Sequence, residues 1–169
     1  MICADNMILV GATARNIGKT ALAVKLIEHY SKKQDVVAIK VVTVHNHGDH
    51  CPRGGKGCGI CSSLKTCFDI REEKGEGTKD TMLFRTAGAR AVYLVRTHPE
   101  GLEKAMEAVL AYTKQDDFII CESNSVRLAV KPGEFIMIRD EEQEIKPSAA
   151  EVIKKADRIF SDYRDYFKV

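Results

Sequence analysis

Residues 13–20, TARNIGKT, combine the residue types that proteins use to bind a phosphate chain. They match the pattern G-x-x-x-x-G-K-[S/T], except that Thr13 stands where the first glycine is expected and Gly11 lies two residues earlier. In such a phosphate-binding loop (P-loop), the glycine admits a phosphate close to the backbone, the lysine reaches the β- and γ-phosphates, and the hydroxyl ligates Mg²⁺. The pattern predicts these roles, in that order, for Gly18, Lys19 and Thr20.

The segments on both sides of this loop are those that phosphate binding requires. Residues 7–10 form an apolar run typical of a buried strand, and residues 21–30 have the pattern of a helix. A tight turn between them aims backbone N–H groups inward, and the helix N-terminus adds partial positive charge. An ordinary strand-to-helix turn is the alternative interpretation. We expect nucleotide phosphates to contact Thr13, Ala14, Arg15, Asn16, Ile17, Gly18, Lys19 and Thr20.

Charged side chains at two other strand ends are candidates for the same site. Glu122 follows the apolar run 118–121, and a P-loop protein needs such a carboxylate to hold Mg²⁺ against Thr20. The alternative is an acid that faces solvent. Lys40 interrupts an apolar strand and therefore needs a partner or an open crevice, unless its ammonium group snorkels to the surface. Asp49 and Asp80 are further acids that can meet a metal or polarise a nucleophile, although neither differs by itself from an ordinary loop acid.

Four cysteines follow the second predicted strand with the spacing C-x6-C-x2-C-x5-C. Four thiolates with a central C-x-x-C suit tetrahedral metal coordination, although the flanking spacings match no standard zinc or ferredoxin pattern. We expect one zinc ion per chain, with an iron–sulfur cluster as the second choice. A glycine-rich loop with free thiols, or a redox pair at the central C-x-x-C, is the alternative. The predicted ligands are Cys51, Cys58, Cys61 and Cys67.

Apolar runs alternate with helical patterns along the rest of the chain. Further strands are predicted at 36–44, 91–95, 117–123, 134–139 and 157–160, and helices at 79–87, 99–112 and 147–155. This alternation predicts a three-layer α/β fold of the P-loop NTPase type, with a mostly parallel, doubly wound sheet. We interpret residues 1–169 as a single domain in which residues 45–77 are a His/Cys/Gly-rich insertion after strand two. Ligands of such sheets bind outside the carboxyl ends of the strands, where these candidate residues meet.

Composition excludes some classes of partner and favours one compartment. The 26 Lys and Arg residues nearly balance the 24 Asp and Glu residues, so a net charge of +2 provides no general field for nucleic acid. No apolar stretch is long enough for a membrane span and no secretory signal is present, so we expect no membrane contact and a cytoplasmic location. Thiols stay reduced there, which makes disulfides the least favoured use of the six cysteines.

The order of these motifs resembles the molybdopterin-guanine dinucleotide biosynthesis protein B family. After the P-loop come Lys40 with HNH at residues 45–47 and Asp49, then GTKDT at 77–81 and AGA at 87–89, and finally Glu122. The resemblance covers residues from about 7 to 122. It departs at Thr13, in the cysteine-containing expansion, and in the residues after Glu122.

The resemblance implies a GTP-binding adaptor with slow hydrolysis in molybdenum-cofactor biosynthesis. By position, Lys19 would act on phosphates, Asp80 and Glu122 would lie near Mg²⁺, and His47 and Asp49 would face the nucleotide or cofactor. The implied partners are molybdopterin and the nucleotidyltransferase that acts on it, and a homodimer is left open.

Two other functions stay open from the sequence. The P-loop and the strand-end acid also resemble dethiobiotin synthetase, an ATP-dependent ligase, and a related kinase-like reaction would use Ser123 and Asn124 for a second substrate. A metal-delivery GTPase similar to the nickel-insertion proteins would carry its cargo on the cysteines. GTP over ATP rests on the resemblance alone.

Overall fold

The structure is a computed structural model that describes residues 1–44, 64 and 66–168. In these residues an eleven-residue first strand leads through a short loop into a twelve-residue helix, and further strands and helices follow. The strands are β1 (Ile2–Ala12), β2 (Val36–Thr43), β3 (Phe68–Glu72), β4 (Ala91–Thr97), β5 (Phe118–Glu122), β6 (Val130–Ile138) and β7 (Arg158–Phe160). The α-helices are α1 (Lys19–Tyr30), α2 (Asp80–Thr86), α3 (Leu102–Leu110) and α4 (Pro147–Ala150). Short 3₁₀ segments cover Pro99–Gly101, Ser125–Leu128, Ile153–Lys155 and Tyr163–Lys168.

The described strands form one seven-stranded sheet in the order β3-β4-β2-β5-β1-β6-β7. Every neighbouring pair is parallel except β3 and β4. The prediction of an α/β fold with a mostly parallel sheet is therefore confirmed. The β1 strand lies between β5 and β6, so the chain segment that follows β1 emerges beside the carboxyl ends of both neighbours.

Both faces of the sheet are covered. Along β1, Met7 and Leu9 pack on one side with α3, whereas Ile8 and Val10 pack on the other side with α1 and α2. This alternation follows from the two-residue period of a strand. Since each face carries its own buried apolar cluster, the architecture is compatible with a three-layer fold. None of the helices in the described ranges is long and apolar enough to cross a membrane.

The β3 strand has no strand pattern in the sequence and lies inside the range assigned to the insertion. The strand is short and charged, and it pairs antiparallel with β4 at the edge of the sheet. An ion pair contributes to its position, because Asp69 accepts hydrogen bonds from the guanidinium of the buried Arg96 opposite it, the shorter at 2.5 Å. Edge strands need no continuous apolar pattern, so periodicity gives little signal there.

The chain segment between β2 and β3 has both ends fastened to β4. The Val44 N–H donates to the Thr97 carbonyl oxygen at 2.8 Å, and the His98 N–H donates to the Cys67 carbonyl oxygen at 3.0 Å. The His98 ring adds a third contact, since its Nδ1 donates to the Val44 carbonyl oxygen at 3.0 Å. These hydrogen bonds hold Val44 and Cys67 beside the same residue pair at the end of β4.

We expect Asp117→Asn to lower the free energy of unfolding by about 2 kcal/mol at neutral pH. The Asp117 side chain is only 1% exposed and accepts hydrogen bonds from the Arg90 guanidinium at 2.5 Å and the Lys114 N–H at 2.7 Å. Burial alone would raise the pKa of Asp117, but these donors outweigh it and hold the pKa below the ordinary value of 3.8. The stabilisation is therefore complete above that value and is lost as the pH falls through the lower folded-state pKa.

Urea unfolding of both proteins between neutral and acid pH measures this effect. Asp116→Asn, a change in the exposed neighbouring acid, is the matched control and should leave stability unchanged. If the difference in unfolding free energy between wild type and Asp117→Asn does not decrease at acid pH, the assigned ion pair is contradicted.

Candidate functional site

The segment between β1 and α1 is a tight loop with two left-handed residues. Asn16 has φ 58° and Gly18 has φ 99°, and Asn16 is the single non-glycine residue with positive φ in the described ranges. Asparagine tolerates this conformation better than most residues, and glycine adopts it without strain. A Cβ at Gly18 would also approach Cδ1 of Tyr163 to 2.6 Å. Both observations explain why glycine precedes Lys19, the first residue of α1.

Thr13 fits the first position of the loop because that position needs neither a glycine conformation nor open space. Its side chain is fully buried and its Oγ1 accepts a hydrogen bond from the Asp140 N–H at 3.2 Å. Its backbone N–H donates to Ile138, and its carbonyl oxygen accepts from the Lys146 N–H at 2.9 Å. The departure from the glycine pattern therefore anchors the loop to the segment after β6.

Asn124 and Gly11 form packing and hydrogen-bond contacts at the end of β1 and do not face a second substrate. The Asn124 side chain is buried and spans the end of β1, where Oδ1 accepts from the Ala12 N–H at 2.9 Å and Nδ2 donates to the Ala12 carbonyl oxygen at 3.0 Å. A Cβ at Gly11 would collide with the Met137 sulfur and lie 2.9 Å from Asn124 Oδ1. Because both amide atoms of Asn124 are engaged, it is an unsuitable substrate contact.

Glu122 is the centre of a cluster of polar side chains at the carboxyl end of β5. Its side chain is 1% exposed, yet its two oxygens contact three residues. Thr20 Oγ1 donates to Oε2 at 3.0 Å, Lys40 Nζ donates to Oε1 at 2.8 Å, and Lys19 Nζ lies 3.5 Å from Oε1. The acid predicted at a strand end thus faces the loop and the helix N-terminus instead of solvent.

Strand register brings these residues together. Glu122 of β5 is aligned with Lys40 of β2 on one side and with Val10 of β1 on the other. Aligned residues of neighbouring strands lie on the same face of a sheet, so Lys40 and Glu122 meet directly. Thr20 joins them because α1 begins just beyond the end of β1.

Lys40 links Glu122 to Asp80, the first residue of α2. Its Nζ contacts carboxylates of both residues, of which Glu122 is buried and Asp80 is 43% exposed. Burial alone would lower the pKa of Lys40, but the two carboxylates outweigh it and raise the pKa above its ordinary value. Lys40 is therefore a fixed positive charge and does not snorkel to the surface.

A cleft of about 1220 Å³ opens above this cluster, bounded by the loop, α1 and α2. Its described lining holds an excess of positive charge. The cationic side chains are Arg15, Lys19, Lys25, Lys40, Lys79 and Lys146, and the carboxylates are Glu28, Asp80 and Glu122. Burial lowers the pKa of Lys19, and the nearby carboxylate of Glu122 offsets only part of this lowering. The charge balance therefore favours an anion, and the loop supplies backbone N–H groups and a helix N-terminus for it.

The donor set also suits a hard cation. Thr20 Oγ1 and Glu122 Oε2 are oxygen ligands that already lie 3.0 Å apart, and Asp80 supplies a further carboxylate at the rim. Mg²⁺ binds oxygen ligands of this kind, commonly one or two carboxylates together with phosphate oxygens. Lys19 and Lys40 both contact Oε1 of Glu122, so Oε2, which faces Thr20, is the oxygen that suits a metal ion.

Lys146 and Tyr163 are among the cleft-lining residues that the sequence pattern did not indicate. Both come from segments after β6 and β7 that carry no helical or strand period. The one available signal for Lys146 is its position directly before Pro147, which marks the start of a helix.

Several predicted site residues lie outside the described residues. His47, Asp49, Cys51, Cys58 and Cys61 belong to this group, so the proposed metal centre and nucleotide contacts there stay predictions. Among the residues that the structure does describe, no group of three or more His, Cys, Asp or Glu side chains could hold a metal ion. Cys67 is described and exposed, and burial raises the pKa of the Cys121 thiol inside β5.

Comparison with known proteins gave no assignment. No protein-family model, no curated protein and no solved structure shows a significant match to this chain.

Proposed function

We propose that the protein binds a nucleoside triphosphate together with Mg²⁺ in this cleft and hydrolyses it slowly. The observation that carries the proposal is the convergence of Lys19, Thr20 and Lys40 on one buried carboxylate, Glu122, which ends β5 beside the strand-loop-helix unit. A lysine and a hydroxyl at a helix N-terminus opposite a strand-end acid are the groups that a P-loop site requires.

Each residue has a distinct part in this proposal. Lys19 exchanges its 3.5 Å contact with Glu122 for a phosphate oxygen, which is the stronger partner because it is more highly charged. Thr20 and Glu122 would hold Mg²⁺, which would supply positive charge against the phosphates. Lys40 stays paired with Glu122 and Asp80 and fixes the orientation of both carboxylates.

Slow hydrolysis follows from the state of the carboxylates. A general base must be free to accept a proton from water. Two of the three carboxylates that line the described cleft, Asp80 and Glu122, are paired with Lys40, and the third, Glu28, pairs with Lys25 on the exposed side of α1. Turnover is therefore expected to need a partner protein that frees or supplies a catalytic group.

The resemblance described above extends this proposal to a biological role. We propose that the nucleotide is GTP and that the protein acts as an adaptor beside the nucleotidyltransferase of molybdenum-cofactor biosynthesis. The order of the sequence motifs supports this assignment, and the contacts of Lys40, Asp80 and Glu122 are consistent with it.

Competition binding with GTP and ATP, with and without Mg²⁺, tests the proposal. We expect a triphosphate to bind with micromolar or better affinity, and GTP to compete better than ATP. Chelation of Mg²⁺ should weaken this binding. Hydrolysis should be slow in the isolated protein. Failure of both nucleotides to bind would contradict the P-loop assignment, and preferential binding of ATP with fast turnover on a small acid or alcohol would favour the ligase alternative.

A further inference from the structure

Lys146 is held beside the start of the loop by its own backbone. Its N–H donates to the Thr13 carbonyl oxygen at 2.9 Å. Two earlier residues of the chain between the end of β6 and Lys146 also form hydrogen bonds with Thr13. The Ile138 carbonyl oxygen accepts from the Thr13 N–H at 2.8 Å, and the Asp140 N–H donates to Thr13 Oγ1 at 3.2 Å. These bonds fix the main chain at both ends of the connection from β6, so Lys146 has a defined position relative to the loop.

The side chain of Lys146 is half-buried and lines the cleft, but it has no carboxylate partner among the described residues. Its electrostatic neighbours are mostly cationic. Burial, together with the positive charges of Lys19 and Arg15, lowers its pKa to about 8, and Glu122 offsets only part of this effect. The charged form of a lysine is destabilised in such surroundings. A bound anion near Lys146, Lys19 and Arg15 would therefore stabilise its charged form.

We propose that Lys146 is a second phosphate-binding cation, which donates from Nζ to the phosphate chain that Lys19 and the loop bind. This inference rests on the proposed function and deepens it, because it assigns a ligand contact to a residue outside the P-loop pattern. Lys146 approaches the chain from the β6 side, whereas Lys19 and Thr20 approach from α1. Its added charge stabilises a triphosphate chain more than a diphosphate, since the triphosphate carries more negative charge.

The proposal makes the affinity depend on pH in a defined direction. Below about pH 8 Lys146 is protonated and its contribution is complete. Above that value the free protein must take up a proton on binding, since the phosphate favours the charged ammonium, and affinity falls as the pH rises. The ionisation of the ligand itself is the same for every variant, so a comparison of variants at each pH isolates the contribution of Lys146. An arginine at this position stays charged and removes the Lys146 part of the dependence.

Isothermal titration calorimetry of the full chain with inorganic tripolyphosphate, inorganic pyrophosphate and Mg²⁺-GTP tests the proposal. We expect Lys146→Ala to weaken tripolyphosphate binding about tenfold or more near neutral pH, and pyrophosphate binding less. Lys146→Arg should bind as the wild type does near neutral pH and lose less affinity toward about pH 9.5. Lys154→Ala, a change in an exposed lysine of the same part of the chain, is the control and should have no effect.

The outcomes separate this inference from the proposed function. Unchanged tripolyphosphate affinity in Lys146→Ala, with wild-type binding intact, would overturn the role of Lys146 alone. An equal loss in the alanine and arginine variants near neutral pH would also overturn it, because it would show a packing role. Binding of tripolyphosphate but of no nucleotide would leave the Lys146 contact standing and overturn the nucleotide proposal. Failure of the wild type to bind any of the three ligands would overturn both.

Discussion

Lys19→Ala is expected to weaken binding of Mg²⁺-triphosphate by about tenfold to a hundredfold while the protein stays folded. The reason is the loss of a charge-assisted hydrogen bond to phosphate from a residue in the half-buried first turn of α1. The Lys19 side chain is 26% exposed, and its contact with Glu122 is the longest of the three around that carboxylate. Glu122 keeps Lys40 and Thr20 as hydrogen-bond donors in the variant, so its burial stays compensated.

Lys25→Ala is the matched control for this experiment. Lys25 lies on the same helix, lines the outer part of the same cleft and pairs with Glu28 at 3.0 Å on the surface. Circular dichroism and thermal unfolding should show both variants folded, and calorimetry should show the binding loss in the Lys19 variant alone. A folded Lys19→Ala protein with wild-type affinity would remove the P-loop assignment.

Glu122→Gln should reduce hydrolysis about a hundredfold and spare much of the nucleotide affinity. Glutamine keeps the shape and the hydrogen bond with Thr20, but it removes the negative charge against which Mg²⁺ would be held. In the free variant Lys40 still has Asp80, whereas Lys19 is left without a carboxylate and is available to phosphate. The effect should therefore fall on turnover and on the Mg²⁺ requirement, not on the affinity for the phosphate chain.

Single-turnover hydrolysis and binding titrations over a range of Mg²⁺ concentrations measure the two effects separately. Glu28→Gln, which neutralises an exposed acid at the rim of the cleft, controls for the loss of one negative charge. Equal losses of binding and hydrolysis in Glu122→Gln, accompanied by a lower unfolding temperature, would instead show that this carboxylate acts in folding.

The sequence predicted the parts of the fold and site that depend on local pattern. Glu122 and Lys40 each end or interrupt an apolar run, and the parallel order of the sheet then aligns them in neighbouring strands. Their contact follows from periodicity and register together. The strand-loop-helix unit was likewise visible, because residues 13–20 lie between an apolar strand and an apolar helix face.

The parts that the sequence did not predict depend on the path of irregular segments. Lys146 reaches the cleft because the connection after β6 returns to Thr13, and no spacing rule links positions 13 and 146. Tyr163 covers Gly18 through a 3₁₀ segment that has no apolar period. The sequence pattern does not indicate β3, because this edge strand depends on contacts with its neighbour β4, here the ion pair between Asp69 and Arg96. An isolated polar residue such as Asn124 gives no signal of its two hydrogen bonds to the backbone of Ala12, so the sequence leaves a contact with a second substrate open as an alternative.

The fastening of Val44 and Cys67 to the end of β4 has a consequence for how this protein can change over evolution. Since Thr97 and His98 bind both flanks, the distance between those flanks is set by the sheet and not by the residues that join them. Closing a longer connection between fixed ends adds only about 0.6 kcal/mol for each doubling of its length. The chain between these two anchored residues can therefore be lengthened, shortened or replaced by a binding module without a shift in strand register. Such changes leave the contact between Lys40 and Glu122 in place, because strand register sets it.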